Sequence, residues 1–204
     1  MSAILLNFRN TMIAGLILAL VMIIGFGMHS PHGFDAVFWQ AVFRWIHVFF
    51  GILWIGLLYY FNFVQTRVMP NIPAELKPAV SKYITPEALF WFRWAAVGTV
   101  VAGLILAWLR GYIGEALTFG LLGGYSAADV GFTLLGVGMW LAIIMFLNVW
   151  GIIWPNQKIA LGMKEADADA KAKAARIATL ASRTNTLLSL PMLTAMAMYQ
   201  TLFG

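Results

Sequence analysis

The chain has 204 residues, of which 62% are hydrophobic and only 10% are charged, and it contains no cysteine. An ordinary soluble domain is about 45–50% apolar and about 25% charged, so the composition excludes a soluble globular fold and predicts a polytopic membrane protein. Without cysteine, the chain cannot form disulfides, thiolate-held iron–sulfur clusters or covalently attached c-type haem. The net charge of +5 is spread over short loops, so nucleic-acid binding is not expected.

Five apolar runs are long enough to cross a bilayer, which takes about 20 residues of helix. They cover residues 9–28, 38–64, 88–109, 130–154 and 180–203. We therefore predict an all-α transmembrane helix bundle of about five spans, forming one integral-membrane domain over residues 1–204. No small-residue cleavage site follows the first run, so we interpret it as an uncleaved span and not as a signal peptide.

Lysine and arginine are unevenly distributed between the predicted loops. With five spans and a cytoplasmic N-terminus, the outer loops hold only Arg110, and Arg44 lies near the outer edge of the second span. The inner segments hold the other basic residues: Arg9, Arg67, Lys77, Lys82, Arg93, Lys158, Lys164, Lys171, Lys173, Arg176 and Arg183. This bias predicts that the N-terminus lies in the cytoplasm and that the C-terminus lies outside. The glycine-rich loop 110–131 either lies in the interface or re-enters the membrane. If it spans the bilayer, the predicted orientation of every segment after it is reversed.

The second span, "FRWIHVFFGILWIGLLYYFNF" at residues 43–63, carries polar groups that lipid disfavours. On an α-helix, one stripe about 60° wide contains the polar groups of this span and two small or apolar neighbours. Its members are Gln40, Arg44, His47, Gly51, Leu58, Asn62 and Gln65. An unsatisfied polar group in hydrocarbon costs several kcal/mol, so we expect the stripe to face protein, a bound cofactor or a wet cavity.

Arg44 and His47 lie one helical turn apart on this stripe and form the candidate cofactor-binding pair. Arg44 either snorkels to the interface or holds an anionic group, such as a haem propionate, a quinone oxygen or an acidic substrate. His47 either makes an interhelical hydrogen bond or acts as a haem ligand or proton-transfer group. His29 and His32 lie in the first loop, so a bis-histidine haem within the membrane is not expected. Together with Asp35 they are too few ligands to define a metal site.

Amides and hydroxyls on three spans are predicted to meet in the inner half of the bundle. Asn148 lies near the end of the fourth span, before Pro155, which is expected to end that helix. Asn185 and Ser189 share a face of the fifth span. The candidate polar pocket comprises Asn62, Gln65, Asn148, Asn185 and Ser189. The same side chains fit equally well with hydrogen bonds that only hold the helices together.

Four segments occur in an order that is typical of one family: "RWIHVFFGILWIGLLYYFNF", "LFWFRW", "IIWPNQK" and "RTNTLLSLPMLTAMAMY". From about residue 40 to the C-terminus, the chain resembles the N-terminal membrane domain of the bacterial membrane-bound, cytochrome-c-linked urate oxidases. The resemblance implies a redox role and a location in the bacterial inner membrane, and it places Arg44 and His47 on the family's motif. The chain lacks the C-x-x-C-H of the family's cytochrome c domain, and the further histidines of the family are absent from the matching segments.

Three functions follow from these observations and from the resemblance. The first is a redox-associated subunit of an electron-transfer assembly, with haem as the cofactor that His47 could ligate. The second is a urate hydroxylase that uses a separate cytochrome c and handles the purine with Arg44, His47, Asn62, Asn148 and Asn185. The third is a non-catalytic scaffold or accessory subunit of a larger membrane complex. The expected partners are the lipid bilayer, other membrane subunits and a separate cytochrome c.

Overall fold

The protein is described by a computed structural model that covers residues 2–121 and 127–203. Its regular structure over these ranges is helical, which confirms the predicted all-α class. The α-helices are α1 (Ser2–Leu5), α2 (Phe8–His29), α3 (Ala36–Tyr59), α4 (Thr66–Val68), α5 (Lys77–Ala79), α6 (Thr85–Leu109), α7 (Ile113–Leu117), α8 (Ala127–Asn148), α9 (Trp154–Ala160) and α10 (Ala168–Leu202).

Four helical stretches within the described part of the chain are long and apolar enough to cross a membrane. They are Phe8–His29, Ala36–Asn71, Lys77–Leu109 and Val130–Ala160, and we refer to them as the first to fourth spans. They include the first four predicted spans. The fifth prediction, residues 180–203, differs: this segment is helical and belongs to α10, but it does not reach the apolar character of the other four. Its amide and hydroxyl side chains lower its hydropathy.

Each of the last three spans contains one π-helical turn, in which an extra residue widens the helix. The turns cover Tyr60–Gln65, Val80–Ile84 and Val149–Ile153. The last two are followed after one residue by Pro86 and Pro155. Proline has no N–H and its ring clashes with the carbonyl of the preceding turn, so a widened turn gives it room.

The π-helical turns explain two differences from the predicted helix ends. The third span begins at Lys77 instead of residue 88, because Val80–Ile84 joins α5 to α6. The prediction that Pro155 ends the fourth span is wrong, because the helix passes through Val149–Ile153 and continues as α9 to Ala160.

Four long helices form the bundle. Helix α3 packs along α6, and α10 packs along α8 and α9. The bundle core is filled by large side chains with almost no exposed surface, including Trp54, Leu58, Phe92, Met145 and Val149. Helix α2 stands apart: only Gly27 of its 22 residues is buried, against the rings of Phe34 and Phe38.

The opposite end of the bundle from the π-helical turns is closed by α7 and by the end of α10. Gly111, with φ of 76°, ends α6 and turns the chain into α7, which packs on α8. A Cβ on Gly136 of α8 would collide with the carbonyl oxygen of Ala116, so the two helices approach at backbone distance. Residues 122–126 of the glycine-rich loop lie outside the described residues.

Candidate functional site

The polar stripe of the second span is hydrogen-bonded to two other helices. Gln40 Nε2 donates to the Leu109 carbonyl oxygen at 3.1 Å, and Asn62 Nδ2 donates to Ser182 Oγ of α10 at 2.8 Å. Gln65 Nε2 donates to Thr85 Oγ1 at the start of α6, also at 2.8 Å. These side chains face protein, and each donates at least one hydrogen bond within the bundle.

His47 is held by the backbone of the third span. Its Nδ1 lies 2.7 Å from the Thr99 carbonyl oxygen. A carbonyl only accepts, so Nδ1 carries the proton and donates it. A Cβ on Gly103 would lie 2.8 Å from His47 Cε1 and Nδ1, so the imidazole packs directly on the α6 backbone.

The space beside His47 does not fit a haem. The adjoining cavity has a volume of about 80 Å³ and is lined mainly by apolar side chains, with Thr99, Leu106, Tyr112 and Met139 among them. Ligand pockets usually measure about 300–1,000 Å³, and haem belongs to that size range. The residues around His47 therefore act here as a packed helix contact.

Arg44 lies at the same end as Tyr112 but makes no hydrogen bond with the residues that the structure describes. Tyr112 begins α7 and packs against the rings of Phe132 and Tyr199. Burial raises the pKa of the Tyr112 phenol, whereas the positive charges of Arg110 and Arg44 act in the opposite direction. Arg44 is thus placed near the outer edge of the bundle, where a long cationic side chain can reach water.

A larger cavity than the one beside His47 lies at the other end of the bundle, among the π-helical turns. It measures about 460 Å³, and we call it the inner cavity. Its polar lining comes from all four packed helices and their extensions: Asn62, Gln65, Thr66, Lys77, Ser81, Thr85, Gln157, Thr179 and Ser182. Each of the three π-helical turns contributes at least one lining residue, and π-helical turns are frequent at functional sites.

One acceptor in this cavity is left without a partner. The Oε1 atom of Gln65 is buried and accepts no hydrogen bond from the described residues, although Nε2 of the same amide is bonded to Thr85. Thr85 Oγ1 donates to the Val80 carbonyl oxygen at 3.1 Å, which fixes the direction of the chain of bonds. A buried free acceptor is rare and is ordinarily satisfied by water or by a ligand N–H.

The other predicted pocket residues form a separate, solvent-free cluster between α8 and α10. Asn148 Nδ2 donates to Asn185 Oδ1 at 2.7 Å, and Asn185 Nδ2 donates to the Met145 carbonyl oxygen at 3.0 Å. Tyr59 and Ser189 share a hydrogen bond of 3.0 Å. Asn185 and Ser189 have no exposed surface, so these groups hold helices together and do not line the inner cavity.

The structure thus divides the candidate polar pocket in two. It places Asn62 and Gln65 on the inner cavity and Asn148, Asn185 and Ser189 in the interhelical cluster. Sequence analysis missed seven further polar lining residues: Thr66, Lys77, Ser81, Thr85, Gln157, Thr179 and Ser182. The prolines at 78, 86 and 155 were a usable signal, because they predict irregular turns beside which polar side chains can gather.

The first loop holds the remaining histidines. His29 Nδ1 lies 2.8 Å from the Gly25 carbonyl oxygen of its own helix, and His32 Nδ1 lies 3.3 Å from Asp35 Oδ2. His29 is therefore turned away from the other two side chains. In the described ranges, no group of three or more histidine, cysteine or acidic residues lies close enough to hold a metal ion.

Comparison with known proteins gives one match. Residues 124–203 match the family model described as urate oxidase N-terminal. No curated protein and no solved structure matches the chain. The matched residues comprise α8, α9 and α10, whereas the segment with Arg44 and His47 lies outside the match.

Proposed function

From the match of residues 124–203 to the urate oxidase N-terminal family model, we propose that the chain is the membrane subunit of an electron-transfer assembly. In this proposal, the inner cavity binds the small polar molecule that the assembly oxidises. A molecule of the urate class is the substrate that the family match favours. The observation on which the proposal rests is the polar lining of the inner cavity.

The chemistry of the cavity supports a planar nitrogen heterocycle. Urate presents N–H donors and carbonyl acceptors around its rim and carries a negative charge at neutral pH. The amide of Gln157 offers a donor and an acceptor, and the ammonium group of Lys77 offers a positive charge. Asn62 offers its Oδ1 as an acceptor, because its Nδ2 already donates to the Leu58 carbonyl oxygen and to Ser182 Oγ. The free Oε1 of Gln65 would accept from a ring N–H. The volume of about 460 Å³ lies within the range of about 300–1,000 Å³ that is typical of ligand sites.

The electrons need an acceptor outside this cavity. Hydroxylation of urate by water consumes one water and releases two protons and two electrons. A separate c-type cytochrome accepts one electron at a time, so two cytochrome reductions balance the oxidation of one urate. In this scheme, the residues of the present chain bind and orient the heterocycle, and the redox centre belongs to the partner.

Urate binding to the purified protein, measured by isothermal titration calorimetry, tests the proposal. We expect the wild type to bind urate and Asn62→Leu to bind it at least about tenfold more weakly, because a buried polar partner is lost. Asn156→Leu is the matched control, since Asn156 does not line the inner cavity and its Nδ2 bonds to its own helix at the Ile152 carbonyl oxygen. Gln157→Leu provides a second cavity variant if Asn62→Leu disturbs the contact with Ser182.

Addition of cytochrome c to the protein with urate distinguishes a urate hydroxylase from a subunit that depends on another redox protein. Urate-dependent reduction of the cytochrome by this chain alone would make it a urate hydroxylase. Binding without reduction would indicate a subunit that depends on another redox protein. Failure of the wild type to bind urate would contradict the proposal and favour a scaffold, a role that the interhelical hydrogen bonds of Asn185 and Ser189 would serve.

A further inference from the structure

A buried arginine in the third span has no acidic partner. Arg93 lies on α6 and exposes only 8% of its surface. Among residues 2–121 and 127–203, the ion pair within 4.0 Å is that of His32 with Asp35, so no carboxylate of these ranges reaches Arg93. An isolated cation is expensive to bury, and such residues within membrane helices are ordinarily paired or functional.

The guanidinium group is packed against two tryptophans of the fourth span. Its Cζ lies 3.4 Å from the centre of the Trp154 ring and 6.0 Å from that of Trp150. A second cation shares the first of these rings, because Lys158 Nζ lies 5.6 Å from the Trp154 centre. The ring faces offset part of the charge but leave the N–H groups of Arg93 without acceptors.

Three buried nitrogen donors at this place therefore have no hydrogen-bond acceptor among the described residues. The Arg93 Nε and Nη1 atoms and the Trp150 Nε1 atom are buried and donate to no atom of the described residues. The cluster holds donors and two positive charges but no acceptor. Its chemistry is thus complementary to an oxyanion, and the planar guanidinium suits a phosphate that accepts two parallel hydrogen bonds.

The position of this cluster points to lipid. Trp94, which packs edge-on against Trp150 at 5.8 Å, is 51% exposed, and Trp91 on the same helix is 46% exposed. Trp154 lies six residues before the end of the fourth span at Ala160, and tryptophans near the ends of membrane helices mark the level of the lipid headgroups. A phosphate at that level can approach the cluster from the bilayer, between the third and fourth spans.

We propose that Arg93, Lys158 and Trp150 form a binding site for the phosphate of an anionic phospholipid in the leaflet at this end of the bundle. Basic pockets between membrane helices are suited to such headgroups. The aromatic, lipid-facing surroundings favour this ligand over a carboxylate of a partner protein. The site is separate from the inner cavity, since none of its three residues lines that cavity.

Native mass spectrometry of the detergent-purified protein tests the site. The protein is titrated with phosphatidylglycerol and, in parallel, with zwitterionic phosphatidylcholine. We expect tighter binding of phosphatidylglycerol and about a tenfold loss of that binding in Arg93→Gln, because hydrogen bonds between charged groups are lost. Arg67→Gln is the matched control: it removes the same charge from an exposed side chain at the same end of the bundle. We expect no change in that variant.

Lys158→Gln keeps the proposal testable if Arg93→Gln fails to fold, because it removes the second cation and leaves the buried arginine in place. We expect a smaller loss of phosphatidylglycerol binding. Unchanged binding in the variant that folds would overturn the proposal, as would equal affinity for the two lipids. Displacement of the lipid by inorganic phosphate alone would assign the site to free phosphate, and a co-purifying protein retained only with Arg93 intact would assign it to a partner.

Discussion

At the scale of single residues, Gly103 decides how closely the second and third spans approach around His47. A Cβ at this position would lie 2.8 Å from two atoms of the imidazole, whose Nδ1 is already fixed by the Thr99 carbonyl. We therefore expect Gly103→Ala to separate the helices and to lower stability by about 1–3 kcal/mol, as overpacking does. Thermal unfolding in detergent measures the effect.

Gly56→Ala is the control for this substitution. Gly56 belongs to the second span, and a Cβ there would meet no atom within 4 Å. Alanine at a helical position without a clash is neutral or stabilising. If Gly103→Ala unfolds at the same temperature as Gly56→Ala, the tight contact between His47 and the third span is not as described.

The residue scale also shows where prediction from sequence stops. Helical periodicity placed Asn62 and Gln65 on one face, and both residues line the inner cavity. It placed Asn148 and Asn185 near the same depth, but the structure pairs these two amides with each other. Which amides face a cavity and which face one another depends on how the helices are rotated about their axes, and periodicity along one chain segment does not contain that information.

At the scale of helices, α3 begins with a carboxylate cap. Asp35 Oδ1 accepts hydrogen bonds from the backbone N–H groups of Val37 at 2.8 Å and Phe38 at 3.1 Å. The Phe38 bond is the main reason that the Asp35 pKa is lowered from 3.8, and His32 adds a smaller effect in the same direction. A lowered pKa in the folded state means that the cap stabilises the fold above the unfolded-state value and is lost as pH falls through the folded value.

We expect the thermal stability of the protein to decline as pH falls below about 4. In Asp35→Asn, the part of the decline due to this cap should disappear, because asparagine caps the helix without titrating. Unfolding temperatures measured from about pH 6 to about pH 3 compare the two proteins. Parallel curves over this interval would show that the Asp35 carboxylate does not contribute to acid sensitivity.

The observed helix ends also show which boundaries of the spans could be predicted from the sequence. Apolar runs located the first four spans because hydrophobicity along the chain is a local property. The extension of the third span to Lys77 and of the fourth to Ala160 was not evident, because proline normally indicates a break. A π-helical turn before Pro86 and Pro155 removes the clash between the proline ring and the preceding turn, on which the expectation of a break depends. The amino-acid composition alone does not predict such a turn.

At the scale of the whole molecule, α10 follows the fourth span over most of its length. Near one end, Asn148 donates to the Ala181 carbonyl oxygen at 2.9 Å, and at the other end Phe203 lies against Gly131. Its polar side chains are used within the bundle, so low hydropathy does not keep it out of the membrane. We therefore propose that α10 crosses the bilayer, with the N-terminus of the chain in the cytoplasm as the distribution of basic residues predicts.

Cysteine accessibility tests this arrangement, and the chain suits it because it contains no native cysteine. We expect Glu115→Cys and Phe203→Cys to react with a membrane-impermeant maleimide added to intact spheroplasts. Ser2→Cys and Glu165→Cys should react only after the membrane is opened. Labelling of Phe203→Cys and Glu165→Cys from the same side would exclude a crossing by α10, and labelling of Ser2→Cys from outside would invert the orientation.

Helix α2 packs little against the other helices, and this determines how it is positioned in the membrane. The packing that secures the other long helices is nearly absent from this one, whose sole buried residue is Gly27. Its place in the bilayer is thus set mainly by lipid and by the short connection to α3. The remaining helices contain their own core, so the first helix can be exchanged for another membrane anchor without dismantling either binding region.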